Sequence, residues 1–217
     1  MMTDAQIEAA RVAKEIVLDP FDPQQLQPAS YDIRLGKWAF ASSMKDKLDL
    51  SQKGLLVIDP GEFAVIESRE RVTLDSRTAG QLGLRSEYAQ RGLLLLSGPQ
   101  IDPGFQGVIV VRVVNLSPKP VALPYEAPFL TTQFFRLSEA VLRPYSGPRQ
   151  SQPGLTGRDI QELLDTEGLT LGQVIKTLSA LARDVAELRG SVGKLSWTIP
   201  LIVGVGIAIV AVIVALK

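Results

Sequence analysis

The chain has no histidine and no cysteine among its 217 residues. Without cysteine there is no disulfide framework, no thiolate nucleophile and no iron–sulfur site. Without histidine there is no Ser-His-Asp triad, no imidazole base and no ordinary zinc site. Zinc-dependent deaminases, which hold a catalytic water on His and Cys ligands, are excluded by the same absence. An excess of one charge is missing too. The 23 basic and 23 acidic side chains cancel, leaving no overall pull toward nucleic acid. Chemistry must then come from carboxylates, hydroxyls, amides, Arg, Lys or an oxygen-bound Mg²⁺.

What is present is unevenly spread. Hydrophobic residues make up 46% of the chain, yet no charged residue stands between Leu195 and Leu216. From Leu201 the sequence reads LIVGVGIAIVAVIVAL. As a helix the uncharged stretch rises about 33 Å, enough to cross a bilayer core of ~30 Å. Trp197 stands at its start, where an indole marks the headgroup level. Apolar on every face and longer than most core helices, residues 196–217 are expected to form a single transmembrane anchor. The opening MMTDAQIEAARVAKEIVL lacks a basic stretch followed by an apolar core, so it does not read as a secretory signal. The body is therefore expected in the cytoplasm with only the tail in membrane lipid. Arg183, Arg189 and Lys194 before the span, against Lys217 after it, agree with that orientation.

Between these ends the chain divides into segments. Residues 1–17 read as an amphipathic helix, with Thr3 or Asp4 as N-cap and Ile7, Val12 and Ile16 as its apolar positions. Residues 18–145 read as mainly β. Short runs at Leu55 to Ile58, Phe63 to Ile66, Val108 to Val114 and Phe129 to Phe135 are divided by turns such as Asp59-Pro60-Gly61 and Asp102-Pro103-Gly104. In the third run Ile109, Val111 and Val113 alternate with Val108, Val110, Arg112 and Val114. Both faces are mostly apolar, which predicts an internal strand in which Arg112 needs a partner or a solvated cavity. Frequent strands and Gly/Pro turns predict a barrel or jelly-roll.

Residues 146–169 read as a lid-like or linker segment with a short helix, the stretch from Arg143 to Gly157 being rich in Pro, Gly, Ser and Gln. Residues 170–195 carry a heptad seam. Leu171, Val174, Leu178, Leu181, Val185, Leu188, Val192 and Leu195 are spaced alternately by three and four. Thr170 and Gln173 form a capping-box pair at its start, and Asp184 and Arg189 are placed to pair between parallel chains. A parallel α-helical coiled coil leading into the membrane span is expected.

Three segments of the body, in order, carry a resemblance to a known family. They are Gln27-Pro28-Ala29-Ser30-Tyr31-Asp32-Ile33-Arg34-Leu35-Gly36, then Arg85-Ser86-Glu87-Tyr88-Ala89-Gln90-Arg91-Gly92-Leu93, then Ile101-Asp102-Pro103-Gly104-Phe105-Gln106-Gly107 running on to Asn115. From about Ile16 to Pro153 the chain resembles the dCTP deaminase branch of the dUTPase superfamily. The resemblance implies a distorted β-barrel or jelly-roll body, a homotrimer with nucleotide sites at subunit interfaces, and Mg²⁺ carried by the triphosphate with no zinc. With the charges balanced, no nucleic-acid partner is expected.

The family pattern also implies roles for residues. Arg85 and Ser86 match the phosphate-binding motif, a guanidinium and a hydroxyl suited to phosphate oxygens. Asp102 matches the acid that orients sugar and attacking water; as a turn aspartate before Pro103-Gly104 it has an equally simple structural reading. Asp32 matches a largely structural aspartate, and Gln133 a glutamine of the last core strand. Tyr145, Gln150 and Gln152 are similar to the segment that folds over the nucleotide. No protein metal site is implied.

Departures from the pattern point away from deamination. The glutamate that moves the proton of the attacking water aligns with Arg112, and an arginine stays protonated. The catalytic arginine of the second segment aligns with Gln90, and Arg91 would point away if that stretch were extended. Glu87 replaces a small residue beside the phosphates, where a carboxylate repels a triphosphate. An ion pair between Glu87 and Arg112 would reconcile the two charge changes. The leading expectation is a membrane-anchored trimer that binds a nucleotide-like ligand without deaminating it. An active Mg²⁺-dependent pyrophosphatase or deaminase, and a trimeric scaffold without a small ligand, remain as alternatives.

Overall fold

The computed structural model describes residues 1–166, together with Thr177, Ala180, Leu181, Arg183, Asp184 and Glu187. The first of two compact units, residues 1–172, contains all the strands described below. In the second, the six residues just named are helical and exposed. The rest of the heptad seam and the expected span over residues 196–217 lie outside the described residues. Among the described residues no helix is long and apolar enough to cross a membrane.

Helix α1 runs Asp4–Val12 and is capped by Thr3, whose hydroxyl accepts from the Gln6 amide while Gln6 returns a bond to the Thr3 amide. It buries Ile7 and Ala10, whereas Val12 is exposed and Ile16 already belongs to a strand. The helix therefore stops short of residue 17: Lys14 turns the chain at φ 61°, and Ile16 serves the sheet. The strands and short helices that follow are β1 (Ile16–Asp19), β2 (Leu26–Gln27), β3 (Ser30–Ala41), β4 (Leu48–Asp49), α2 (Leu50–Lys53), β5 (Leu55–Ile58) and β6 (Phe63–Leu74). Next come β7 (Thr78–Leu84), α3 (Ser86–Gln90), β8 (Leu93–Leu95), β9 (Gln100–Ile101), β10 (Gln106–Asn115), β11 (Val121–Pro124) and β12 (Pro128–Arg136). Helix α4 spans Gly157–Thr166.

Ten strands form one sheet whose main path is β8-β10-β6-β3-β12-β7-β9, and β5 pairs with β11 in a small second sheet. The ends of that path, Leu95 of β8 and Gln100 of β9, are close in sequence. Five peptide steps reach at most about 18 Å, while six flat inter-strand steps would need about 29 Å. The sheet must curl, and it does so as a half-barrel around a core that includes Ile33, Leu35, Ile66, Phe129 and Phe134, all fully buried. Burying each such side chain contributes about 1.5–3 kcal/mol. Strand β10 lies inside the sheet between β8 and β6, with Ile109, Val111 and Val113 buried.

Two carboxylates mark where the sheet departs from ideal pairing. Glu70 on β6 is fully buried and takes two bonds from Arg34, at 2.6 Å from Nε and 2.9 Å from the amide. Burial pushes its pKa up, and the guanidinium opposes that shift. Glu67 sits at a bulge. The β3–β6 register steps from Leu35↔Ser68 to Ala39↔Ile66, so β3 spends four residues where β6 spends two. The Trp38 amide in the bulge donates 3.0 Å to Glu67 Oε1 instead of to backbone.

The Pro/Gly-rich stretch after β12 packs against the body, which differs from the linker reading. Gln152 forms a parallel bridge with Gly107, and the Ser151 amide reaches the Gln106 carbonyl at 2.7 Å. The Leu155 amide donates 2.7 Å to Glu67 Oε2. Leu155 and Leu163 of α4 are buried with Phe40 and Val65. Gly154, at φ +148°, lies so close that a Cβ would stand 2.5 Å from Glu67 Oε2. Backbone pairing and two apolar anchors order a segment whose composition alone suggests mobility.

Candidate functional site

Where the curled sheet brings its ends together, a cavity of about 350 Å³ opens between β10, the residues joining β8 to β9, and the returning strap. Four residues singled out from sequence line it: Asp102, Arg112, Tyr145 and Gln152. Strand alternation places Arg112 off the buried face of β10, half-buried, with its amide bonded to Ser97 Oγ at 2.8 Å. Asp102 opens the turn after β9 and accepts from Gln100 Nε2 at 2.6 Å. Gly104 at φ +86° makes that turn possible, and a Cβ there would meet Pro144 at 2.6 Å. The turn in turn holds the strap, since the Tyr145 amide donates to the Pro103 carbonyl at 2.8 Å. The Tyr145 ring tilts against Phe105 with centroids 5.7 Å apart.

Gln152 is buried, its amide nitrogen reaching the Gly154 carbonyl at 3.3 Å. Gln150 points elsewhere. It accepts from the Gln106 amide and donates to the Gly104 carbonyl, each at 3.0 Å, and so pins the strap. The other expected residues stand apart from the cavity lining. Arg85, at the N-cap of α3, donates to Asp32 on β3, and Ser86 beside it is exposed. Gln133 sits mid-way along β12, opposite Gln81 of β7.

Two expectations about the altered positions are corrected. Arg112 does not pair with Glu87. Its Nη2 lies 2.5 Å from Glu162 Oε2 on α4, while Glu87 faces Arg91 at 3.6 Å. The cause is local geometry. Residues Ser86–Gln90 are helical rather than extended, so Glu87 and Arg91 stand one turn apart on one face. Gln90 ends that helix, exposed. The Arg91 guanidinium lies 5.8 Å from the Tyr88 ring centre.

Sequence reading missed three residues of this site: Arg149, Asp159 and Glu162, all lining the cavity. Asp159 is almost fully buried, and it accepts from the Thr156 hydroxyl at 2.6 Å, the Thr156 amide at 2.9 Å and Arg149 Nη1 at 2.8 Å. Burial acts to raise its pKa, yet the Thr156 bonds and the Arg149 charge win and hold it below the usual carboxylate range. Glu162 is also lowered, first by the hydrogen bond from Arg158 and then by that from Arg112. The signal available in sequence was the apolar spacing of Ile160, Leu163 and Leu164, which marks one face of α4 as inward.

The lining carries two guanidiniums, of Arg112 and Arg149, and three carboxylates, of Asp102, Asp159 and Glu162. Among the described residues no three acidic side chains gather to hold a metal ion. A Mg²⁺ arriving on a triphosphate needs no such cage, since phosphates and water supply most of its oxygen ligands.

Comparison with known proteins adds the family context. The dCTP deaminase-like family matches residues 1–128. A dCTP deaminase of Pyrococcus horikoshii is 38% identical over 145 residues, covering 67% of this chain and 91% of that protein. A dUMP-forming dCTP deaminase of Tropheryma whipplei is 32% identical over 164 residues, covering 68% of this chain and 84% of that one. Among solved structures, a 2′-deoxycytidine 5′-triphosphate deaminase from Agrobacterium tumefaciens superposes with a TM-score of 0.52 at 20% identity. That superposition covers 65% of this chain and 48% of the Agrobacterium chain, about half its length, and it shows a shared fold.

Proposed function

Because the chain belongs to the dCTP deaminase-like family, we propose that its body is a nucleotide-binding module that does not deaminate, assembled as a homotrimer and held at a membrane by its C-terminal tail. The observation that carries this reading is Arg112. A water attacking a pyrimidine ring needs a neighbouring group that takes its proton and returns it. Arg112 stands in the cavity at the position where the family pattern has a glutamate, and it keeps its proton. Its charge is also neutralised by Glu162, 2.5 Å away.

The division of the site supports an assembly of several copies, and the family resemblance makes that assembly a trimer in this reading. Arg85 and Ser86 lie outside the lining that holds Asp102 and Tyr145. A neighbouring copy would bring its own Arg85 and Ser86 to the cavity mouth, placing phosphate donors beside a pocket for base and sugar. In the lone chain Asp32 occupies Arg85. Mg²⁺ would enter with the triphosphate and screen its charge from Glu87. The heptad seam and the uncharged run from Leu195 support the tethering part of the reading.

A second reading is favoured by one observation: Asp102 lines the cavity beside Gln100, so a water could be oriented there for release of pyrophosphate. One experiment separates the two. Full-length protein in detergent is incubated with Mg²⁺ and dCTP or dUTP, and dUTP, dUMP and pyrophosphate are measured alongside nucleotide binding. Binding without turnover is the expected result. Deamination of dCTP would refute the first reading, and pyrophosphate formation abolished by Asp102→Asn would establish the second.

A further inference from the structure

One buried carboxylate of the body stands outside the cavity lining and outside every ion pair. Glu67 on β6 is 7% exposed, and among the described residues no cation pairs with it. Burial pushes its pKa up, while the amides of Leu155 and Trp38 and the charge of Lys47 act against that shift. A carboxylate so placed is tolerated only where hydrogen bonds replace its water. Both oxygens have one: Oε1 accepts from the Trp38 amide at 3.0 Å, and Oε2 from the Leu155 amide at 2.7 Å. The sheet is shaped around this group. On one side of β6 the register with β3 slips between Leu35↔Ser68 and Ala39↔Ile66. On the other side the register with β10 slips between Val108↔Arg71 and Val110↔Glu67. Two glycines close in on the side chain. A Cβ on Gly36 would stand 2.8 Å from Glu67 Cγ, and one on Gly154 would stand 2.5 Å from Oε2.

Leu155 belongs to the strap, between Gln152 and Asp159, and both of those line the cavity. Upstream of Leu155 the strap is tied to β10. The Ser151 amide donates to the Gln106 carbonyl at 2.7 Å, and the Val108 amide to the Gln152 carbonyl at 3.0 Å. Downstream, the bonds of Asp159 to Thr156 and Arg149 join strap residues to one another and fix nothing against the sheet. The Glu162–Arg112 pair does reach β10, but it joins two partly exposed side chains, where water competes. The Leu155 bond is different. It is buried, and it ties the strap's own backbone to the sheet.

We propose that Glu67 is a positioning residue of the cavity: through the Leu155 amide it seats the strap before any ligand arrives, so that Gln152 and Asp159 are already in place. The proposal rests on the reading of the cavity as a ligand site. It adds that the ligand meets a finished wall and need not order one. A wall ordered in advance removes the entropy loss that binding would otherwise carry. With the clasp broken, the same ligand must order the strap itself, and affinity falls. A carboxylate that served folding alone would change stability and leave ligand affinity where it was.

The test compares full-length protein in detergent with its Glu67→Leu and Gly154→Ala variants, by hydrogen exchange and by calorimetric titration with dCTP and dUTP. Leucine fills much of the space but offers neither amide an acceptor. Gly154→Ala leaves β6 untouched and drives the strap off from its own side. In both variants exchange at residues 151–156 is expected to rise about tenfold, and nucleotide affinity to fall about tenfold. Bound nucleotide should then return the strap to wild-type exchange, because binding now orders it. Should Glu67→Leu fail to fold, Gly154→Ala decides, since it alters the strap alone. Wild-type exchange in the strap of the variants would overturn the proposal. So would an opened strap with undiminished nucleotide affinity, a result that leaves the nucleotide reading standing. A strap that opens in both variants of a protein that binds neither nucleotide does the reverse: the clasp stands and the nucleotide reading falls.

Discussion

The curled sheet and the strap that returns across it reach order by opposite routes. In the sheet, side chains such as Ile33, Leu35, Phe129 and Phe134 are sealed from water, and the stabilising force is non-directional and shared among many contacts. In the strap, Leu155 and Leu163 are the buried apolar residues. The rest is hydrogen bonding: Gln152 to Gly107, Gln150 to the turn at Gly104, Leu155 to Glu67, and Asp159 to Thr156 and Arg149. A shared apolar core loosens as one cooperative body, whereas a chain of polar bonds can open alone. The lesson is that the cavity has one wall that is rigid by packing and another that is held by named bonds.

The largest expected effect lies on the packed side. Phe134→Ala should cost about 3–5 kcal/mol, read as a lower urea midpoint together with faster hydrogen exchange throughout the sheet. Exchange confined to the strap would overturn the division. Next comes Arg34→Ala, which strands the buried Glu70 carboxylate without its cation; about 3 kcal/mol is expected. A loss as small as that of a surface pair would show that Glu70 is hydrated. Asp159→Asn should be smaller and local, about 1–2 kcal/mol, with exchange rising across residues 150–166 while the sheet's urea midpoint stays put.

The pH dependence sharpens the same contrast. The folded-state pKa of Asp159 is held below its ordinary value, so the stability it contributes is present above the unfolded value of about 3.9. It is lost as pH falls through the lower folded value. Protection of the strap amides, relative to their intrinsic exchange at each pH, should therefore fall below about pH 4, and the Asp159→Asn protein should lack that transition. Protection falling in both proteins alike would place the acid-sensitive group elsewhere. Smallest of all is Val12→Ala, at an exposed position of α1, with an expected change within about 0.5 kcal/mol.

Legibility followed range. The alternation from Val108 to Val114 is a local pattern, so the internal strand and the need of Arg112 for a partner could be read directly. Which partner could not. Glu87 was the nearer charge change along the chain, but helicity at Ser86–Gln90 turned it toward Arg91. Glu162, 50 residues beyond Arg112, reaches it only once α4 has docked, and no spacing rule encodes that. Composition misled for the strap, because Pro, Gly and Ser describe what a backbone can do alone rather than what a neighbouring strand offers it. Asp102, Tyr145 and Gln152 were placed by family resemblance, and the structure brings them to one cavity with Arg112. Arg85, Ser86 and Gln133 came from the same source and stand apart in the single chain.

The bulge in β3 has a further consequence, which concerns time. Glu67 bridges the Trp38 amide, 29 residues away, and the Leu155 amide, 88 residues away. As the chain emerges during synthesis, β3 and β6 can pair and present Glu67 long before Leu155 exists. This bond thus forms late, onto a receptor already in place, and the cavity's outer wall, with Asp159 and Glu162, is completed only by chain that emerges later still.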